Sequence, residues 1–211
     1  MKMTFRWYGP SDQVTLEKIR QIPGMSGIVS AVYDVKPGGV WSMESIQQIK
    51  TAAQANGLEF EVVESVPVPE DIKLGNKKAP ALIDAYCENI RRLGQAGVKC
   101  VCYNFMPVFD WLRSELEHVQ PDGANALAYD EATVRAMDPA KGDLSLPGWD
   151  ASYTKEELKS LLAAYAQIDE NQLWKNLTAF LEAVIPVARE AGVEPLLPKL
   201  NQGVYCARRV G

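Results

Sequence analysis

One pattern occurs three times in this sequence: a helical stretch ends at a glycine, and an apolar run follows at once. The three copies read QANGLEFEVV, GQAGVKCVCY and AREAGVEPLL, with Gly57, Gly97 and Gly192 at the junctions. A glycine can take the left-handed conformation that ends a helix, because it has no Cβ atom to clash with the backbone. Helices that alternate with short strands in this way call for a parallel sheet with right-handed crossovers. The sequence therefore predicts an α/β fold.

The spacing of the apolar residues places the other elements approximately. Strands are predicted over residues 3–8, 27–32, 58–63 and 98–103. Helices are predicted over residues 11–21 and 79–96, between a Ser42 cap and Gly57, and after a capping box at Thr154–Glu157. The last helical stretch carries an apolar stripe, which we expect to pack on the sheet.

A segment at residues 107–152 is too long for an ordinary loop and contains the turn signals PDG, KGD and LPGW. We interpret it as an insertion after the fourth strand, either a lid over a ligand or a subunit contact. The sequence has no GxGxxG motif and no Walker loop. No phosphate-binding loop therefore supports a nucleotide-binding, doubly wound sheet. We therefore favour a (β/α) barrel.

Composition excludes several classes of function. The chain has 211 residues, a formal net charge of −5 and an isoelectric point near 5.1, which argues against a nucleic-acid partner. No run approaches the roughly 18 apolar residues of a membrane span, and the amino terminus lacks the apolar core of a signal peptide. We therefore expect a cytoplasmic protein. The four cysteines match no zinc or redox spacing, and the single histidine, His118, cannot build a multi-histidine metal site.

Polar and aromatic residues follow the predicted strands at their carboxyl ends, where the active site of a parallel barrel lies. The stretch VCYNFMPVFDW begins as a core strand and becomes an aromatic, polar segment within a few residues. The candidates at such positions are Trp7, Tyr8, Glu64 and Asn104. Aromatic rings can pack on the C–H faces of a sugar, and the carboxylate and amide can hydrogen-bond its hydroxyls. These residues predict a site for a small hydroxylated ligand.

Each candidate also has a structural interpretation. Trp7 and Tyr8 could close the end of the barrel, and Asp34 at the second strand end could cap a loop. Arg113 could pair with Asp110, three residues before it on a helix, or could bind a ligand carboxylate at two points. The sequence leaves these alternatives open.

Four long segments carry a resemblance to a known family. They read MKMTFRWYGPSD, GIVSAVYDV, EVVESVPVPEDIKLG and GVKCVCYNFMPVFDWLRS. Together with Trp149 and the helix FLEAVIPVAREAGV, they closely resemble mannonate dehydratase, over about Met1–Val193. The match covers contiguous stretches and is therefore far more specific than a short motif.

The resemblance implies a TIM-like barrel of the xylose-isomerase-like type. It implies dehydration of the sugar acid D-mannonate to 2-keto-3-deoxy-D-gluconate in hexuronate breakdown, with Mn²⁺ or Fe²⁺ as the cofactor. The reaction removes the C2 proton and the C3 hydroxyl. Within it, Trp7, Tyr8, Glu64, Asn104 and Arg113 are expected to bind substrate, and no residue is assigned a catalytic role. A sugar isomerase or epimerase on the same barrel is the second enzymatic interpretation.

The chain departs from the family after Val193. Family members continue into a strand with a histidine metal ligand, and a cysteine, a second histidine and an aspartate follow later. This chain instead reads EPLLPKLNQGVYCARRVG, where nothing around Cys206 matches the family's metal cysteine. We therefore expect residues 1–193 to form the amino-terminal part of the barrel and residues 194–211 an unrelated tail. The metal ligands would then be missing, which makes an inactive family member the non-catalytic alternative. The uncovered barrel surface would favour a homo-oligomer.

Overall fold

The protein is described here from a computed structural model, which covers residues 2–108, 113–136, 153–193 and 196–198. The strands in these ranges are β1 (Met3–Arg6), β2 (Met25–Ser30), β3 (Glu59–Pro67), β4 (Cys100–Asn104), β5 (Glu115–Val119), β6 (Asn125–Ala128) and β7 (Leu196–Pro198). The helices are α1 (Leu16–Arg20), α2 (Met43–Ala55), α3 (Glu70–Leu74), α4 (Ala79–Gln95), α5 (Glu131–Ala136), α6 (Lys155–Tyr165) and α7 (Glu170–Glu190).

The main sheet contains five parallel strands in the order β1-β2-β3-β4-β7. This confirms the predicted α/β fold with its parallel sheet. Within the described ranges β1 and β7 are the two edges, so closure into a barrel stays a prediction.

The predicted junctions are found where the sequence places them. Gly57, Gly97 and Gly192 have φ angles of 67°, 85° and 68°, in the left-handed region that only glycine adopts without strain. The side chain of Ser42 accepts a hydrogen bond from the Ser45 amide at 2.9 Å and caps α2. Thr154 and Glu157 form both bonds of the predicted capping box. These glycines and capping residues therefore end and begin helices where the sequence predicts.

Two predicted boundaries are wrong in a way that matters for the site. β1 ends at Arg6, so Trp7 and Tyr8 follow the strand and do not lie in it. β3 continues to Pro67, so Glu64 lies inside this strand instead of just after it. The reason is pairing across strands: β4 continues past the apolar run, and its last residue, Asn104, is opposite Pro67. The predicted first helix is likewise shorter, because Thr15 caps it only at Leu16.

One face of the main sheet is covered by helices. Ile28, Val63 and Val101 on three neighbouring strands are fully buried on this face. Phe180 of α7 is also fully buried, and its ring lies 5.8 Å from that of Tyr103 on β4. Alternate residues of a strand point to opposite faces. The residues between these therefore project from the other side of the sheet.

The described residues divide into two compact units: residues 2–105 with 171–193 and 196–198, and residues 106–108, 113–136 and 153–170. The second unit holds the antiparallel hairpin β5–β6, whose turn has Gly123 at a φ angle of 84°. It corresponds to much of the predicted insertion, and the hairpin was not predicted. Residues 109–112 and 137–152, which include Asp110 and Trp149, lie outside the described residues.

No helix in the described ranges is both long enough and apolar enough to cross a membrane.

A close helix contact at Gly94 gives a first testable prediction. A Cβ atom on Gly94 of α4 would lie 2.8 Å from the Cβ atom of Ala191 and still closer to the Ala191 carbonyl oxygen. We expect Gly94→Val to lower the free energy of unfolding by about 1–3 kcal/mol, because the two helix ends must separate. Urea denaturation followed by circular dichroism measures this. Ala81→Val on the exposed side of α4 is the matched control, and an equal loss in both variants would contradict the prediction.

Candidate active site at the carboxyl edge of the sheet

Trp7 is held at the end of β1 as part of the core. Its side chain is buried, and its amide donates to the Val29 carbonyl at 2.9 Å. Its own carbonyl accepts from the buried hydroxyl of Ser30 at 2.8 Å and from Tyr33 at 3.3 Å. These bonds tie the chain after β1 to the end of β2. This geometry fits the interpretation that Trp7 closes the end of the sheet, while substrate binding by Trp7 stays a prediction.

Two exposed tyrosines lie side by side at this edge. Tyr8 is 61% exposed and Tyr33 is 48% exposed, and their ring centroids are 6.3 Å apart at an interplanar angle of 34°. The amide of Tyr8 donates to Asp12 at 2.9 Å, and a second amide bond from Val14 reaches the same carboxylate. These two backbone donors lower the pKa of Asp12 and keep the turn after Tyr8 in place. The result is an aromatic surface that is open to solvent.

Arg6 connects this aromatic surface to Glu64. Its Nη1 atom lies 3.2 Å from the Glu64 carboxylate, and its Cζ atom lies 5.0 Å from the centre of the Tyr8 ring. The Nε and Nη1 atoms are buried and have no hydrogen-bond partner among the described residues. Sequence reasoning missed Arg6, because it placed this residue inside a core strand. The signal was available in its alternation with Phe5, which predicts opposite faces for the two side chains.

Glu64 and Asn104 project from the face of the sheet that the helices do not cover. Glu64 is opposite Cys102 in the β3–β4 pairing, and Asn104 lies two residues beyond Cys102 on the same strand. Both are partly exposed, whereas Val101 and Tyr103, which alternate with Cys102 and Asn104 along β4, are buried on the helix-covered face. We call Arg6, Glu64, Cys100, Cys102 and Asn104 the polar face. It contains two of the predicted substrate-binding residues and borders a third, Tyr8.

Arg113 belongs to the second compact unit and is partly buried there. Asp110, its alternative ion-pair partner, lies outside the described residues. The predicted ligand role of Arg113 therefore stays a prediction.

The described residues do not fit a metal centre of the expected kind. Among them, no three side chains of His, Cys, Asp or Glu converge as metal ligands. His118 lies on the hairpin, 2.9 Å from the Glu115 carboxylate, with both side chains about half exposed. Three convergent ligands are the usual minimum of a catalytic site. The described part of the chain thus supplies polar and aromatic contacts and is assigned no metal ligand.

Comparison with known proteins decides the family. A family model described as D-mannonate dehydratase (UxuA) matches residues 1–197. The chain belongs to the D-mannonate dehydratase family. The resemblance seen in the sequence is thereby confirmed, and its family match extends a few residues beyond Val193.

Individual members of the family are closely similar. A mannonate dehydratase of Streptococcus agalactiae serotype Ia is 56% identical over 194 residues, which are 92% of this chain and 56% of that protein. Mannonate dehydratase 2 of Halalkalibacterium halodurans is 52% identical over the same shares. The crystal structure of mannonate dehydratase from Streptococcus suis serotype 2 matches with a TM-score of 0.82 and 49% identity, over 92% of this chain and 52% of that one. The chain therefore spans about half the length of the mannonate dehydratases that it matches.

Proposed function

We propose that this chain provides the substrate-binding edge of a metal-dependent mannonate dehydratase. The observation that carries the proposal is the juxtaposition of Tyr8, Arg6 and Glu64 at the carboxyl edge of a parallel sheet, in a chain of this family. The reaction converts D-mannonate to 2-keto-3-deoxy-D-gluconate and one water molecule. The C2–H and C3–OH bonds break, and the resulting enol becomes the 2-keto group by taking up a proton at C3.

The residues of the edge suit the parts of this substrate. Tyr8 and Tyr33 offer exposed rings on which the C–H groups of an open-chain sugar acid can pack. Glu64 and Asn104 offer oxygen acceptors, and Asn104 also offers amide donors, for the row of hydroxyls. Arg6 contacts both the Glu64 carboxylate and the Tyr8 ring, so we expect hydroxyl binding and ring packing to act on one ligand. The predicted role of Arg113 as a partner for a ligand carboxylate stays a separate proposal for the second compact unit.

The wider expectations are also part of the proposal. The fold is the amino-terminal part of a TIM-like barrel of the xylose-isomerase-like type, with residues 1–193 in the barrel and residues 194–211 as a tail. The tail includes β7, which pairs with β4 at the edge of the main sheet. The expected Mn²⁺ or Fe²⁺ would polarise the substrate oxygens. Among the described residues, no group of three candidate ligands converges to hold it. We further propose a homo-oligomer in the cytoplasm. The exposed apolar side chains of the hairpin, Leu116, Val119 and Leu127, suit a subunit contact.

The proposal is tested with the purified chain, D-mannonate and Mn²⁺. Calorimetry measures binding of the sugar acid, and a colorimetric assay follows 2-keto-3-deoxy-D-gluconate. Turnover would establish the dehydratase. Binding without turnover would support the substrate-binding edge and show that the chemistry needs residues other than these 211. Failure of a folded sample to bind D-mannonate would contradict the proposal and favour an inactive family member. Formation of an isomer or epimer would favour the second enzymatic interpretation, which none of the named relatives supports.

A chimera tests the substrate-binding edge within a full-length enzyme. We expect the chain, joined after Val193 to the carboxyl-terminal remainder of the Streptococcus suis enzyme, to form 2-keto-3-deoxy-D-gluconate. In that chimera Tyr8→Ala should raise KM for D-mannonate about tenfold, which equals about 1.4 kcal/mol of lost binding. Met3→Ala at the opposite end of β1, where Met3 is 51% exposed, is the control and should leave KM unchanged. Equal KM values for the two variants would remove Tyr8 from the site.

A further inference from the structure

β4 carries two cysteines whose thiols lie on the same face of the sheet. Cys100 and Cys102 are two residues apart and both are partly exposed. Val101 between them is fully buried, and Tyr103 after them packs on Phe180 of α7. Because strand side chains alternate between faces, both thiols project from the polar face, away from the helices.

The two thiols also influence each other. Both residues are reduced thiols. Burial raises the pKa of the Cys100 thiol, and the neighbouring Cys102 side chain lowers it in part. Residues two apart on a strand have Cα atoms about 6.4–6.8 Å apart, which is the outer limit for a disulfide. A direct disulfide would therefore strain β4, whereas one atom placed between the two sulfurs would lengthen the bridge.

The number and type of nearby ligands limit which atoms the Cys100–Cys102 pair can bind. Thiolates prefer soft, thiophilic centres. A zinc ion in a structural site needs four ligands, and no group of three or more His, Cys, Asp or Glu side chains converges among the described residues. Trivalent arsenic that already carries one organic group needs only two sulfurs to complete its three bonds. The pair on β4 offers that number.

We propose that Cys100 and Cys102 form a dithiol site for mono-substituted trivalent arsenic compounds. The chemistry at this site does not use the mannonate reaction, although the thiols share the polar face with Glu64 and Asn104. With phenylarsine oxide, two S–H bonds and the arsenic–oxygen bonds break, two arsenic–sulfur bonds form, and the oxygen leaves as water with both thiol protons. Arsenic stays trivalent, so no oxidant or reductant is needed. The product is a ring closed by one arsenic atom across the backbone from residue 100 to residue 102.

Phenylarsine oxide is the probe for the test on the full-length chain. We expect intact-mass spectrometry to show one phenylarsenic group per chain, and the number of reactive thiols to fall by two. An excess of a monothiol should leave the adduct in place, while 2,3-dimercaptopropanol should remove it, because only a dithiol can replace both bonds together. Non-reducing electrophoresis should show no cross-linked dimer. A dimer bridged by arsenic would overturn the proposal, since the two sulfurs would then come from different chains.

Single substitutions assign the site. Cys100→Ser and Cys102→Ser should each abolish the adduct that resists the monothiol. Cys87→Ser should keep it, because Cys87 is buried on α4, where its thiol points to the Ala183 carbonyl. Cys206→Ser should keep it as well. Circular dichroism confirms that each variant is folded. Retention of the resistant adduct in Cys100→Ser, or its loss in Cys206→Ser, would overturn the assignment.

Discussion

Phe180→Ala should lower the free energy of unfolding by about 3–5 kcal/mol, the largest loss that we expect from one substitution. The Phe180 ring is fully buried and lies 5.0 Å from the ring of Tyr86, 5.8 Å from Tyr103 and 5.7 Å from Phe105. Alanine would leave a cavity among three rings that belong to different parts of the fold and cannot collapse together. Urea denaturation followed by tryptophan fluorescence measures the loss.

A control on the same helix separates this cavity from an effect on helix formation. Trp174 also lies on α7 but is 48% exposed, so Trp174→Ala should change the free energy of unfolding by less than about 0.5 kcal/mol. Phe180→Leu should fall between the two, because leucine refills part of the space. The prediction is wrong if Trp174→Ala costs as much as Phe180→Ala.

Glu64→Ala should lower the free energy of unfolding by about 1–3 kcal/mol and weaken D-mannonate binding at least tenfold. The carboxylate lies 3.2 Å from Arg6, and the side chains of the two residues are 31% and 25% exposed. Removing it takes away the anionic partner of the guanidinium. The Nε and Nη1 atoms of that guanidinium are already buried and form no hydrogen bonds in the described structure. The remaining exposure allows water to offset part of the cost, which keeps the loss below that of a fully buried pair. Thermal denaturation and calorimetry measure the two effects.

A double-mutant cycle isolates the ion pair in this second prediction. Arg6→Met and Glu64→Ala together should cost less than the sum of the single changes, by about 1 kcal/mol. Glu59→Ala is the matched control, because it removes a carboxylate that pairs with Lys2 at 2.5 Å in an exposed position at the start of β3. It should leave D-mannonate binding unchanged. Additive costs in the cycle, or an equal loss of binding in Glu59→Ala, would show that Arg6 and Glu64 do not act as a unit.

Part of the candidate site could be predicted from local sequence patterns. Tyr8, Glu64 and Asn104 were predicted from the places where apolar runs stop, and all three lie at or near the carboxyl edge. The reason given for Glu64 was nevertheless wrong, since its strand continues three residues further. Only pairing with β4 keeps that segment extended, and such pairing depends on residues about forty positions away in the chain.

Two other features of the site depended on tertiary structure. In the sequence, Arg6 is one polar residue in a short strand. The neighbouring residues do not predict that its guanidinium contacts both Tyr8 and Glu64. Trp7 and Tyr8 are adjacent in sequence, yet one is buried and the other is mostly exposed. That difference comes from the hydrogen bonds which fix the Trp7 carbonyl to Ser30 and Tyr33 at the end of β2.

The sequence by itself determined the α/β class, the parallel order of elements and the helix ends. These depend on interactions within a few residues: a glycine with positive φ at Gly97, a side-chain cap at Ser42, or the capping box of Thr154. Tertiary structure alone decided the length of β3, the place of Arg6 and the common face of the two thiols with Glu64. Those depend on which strands pair and in what register, because register decides which side chains meet across a sheet.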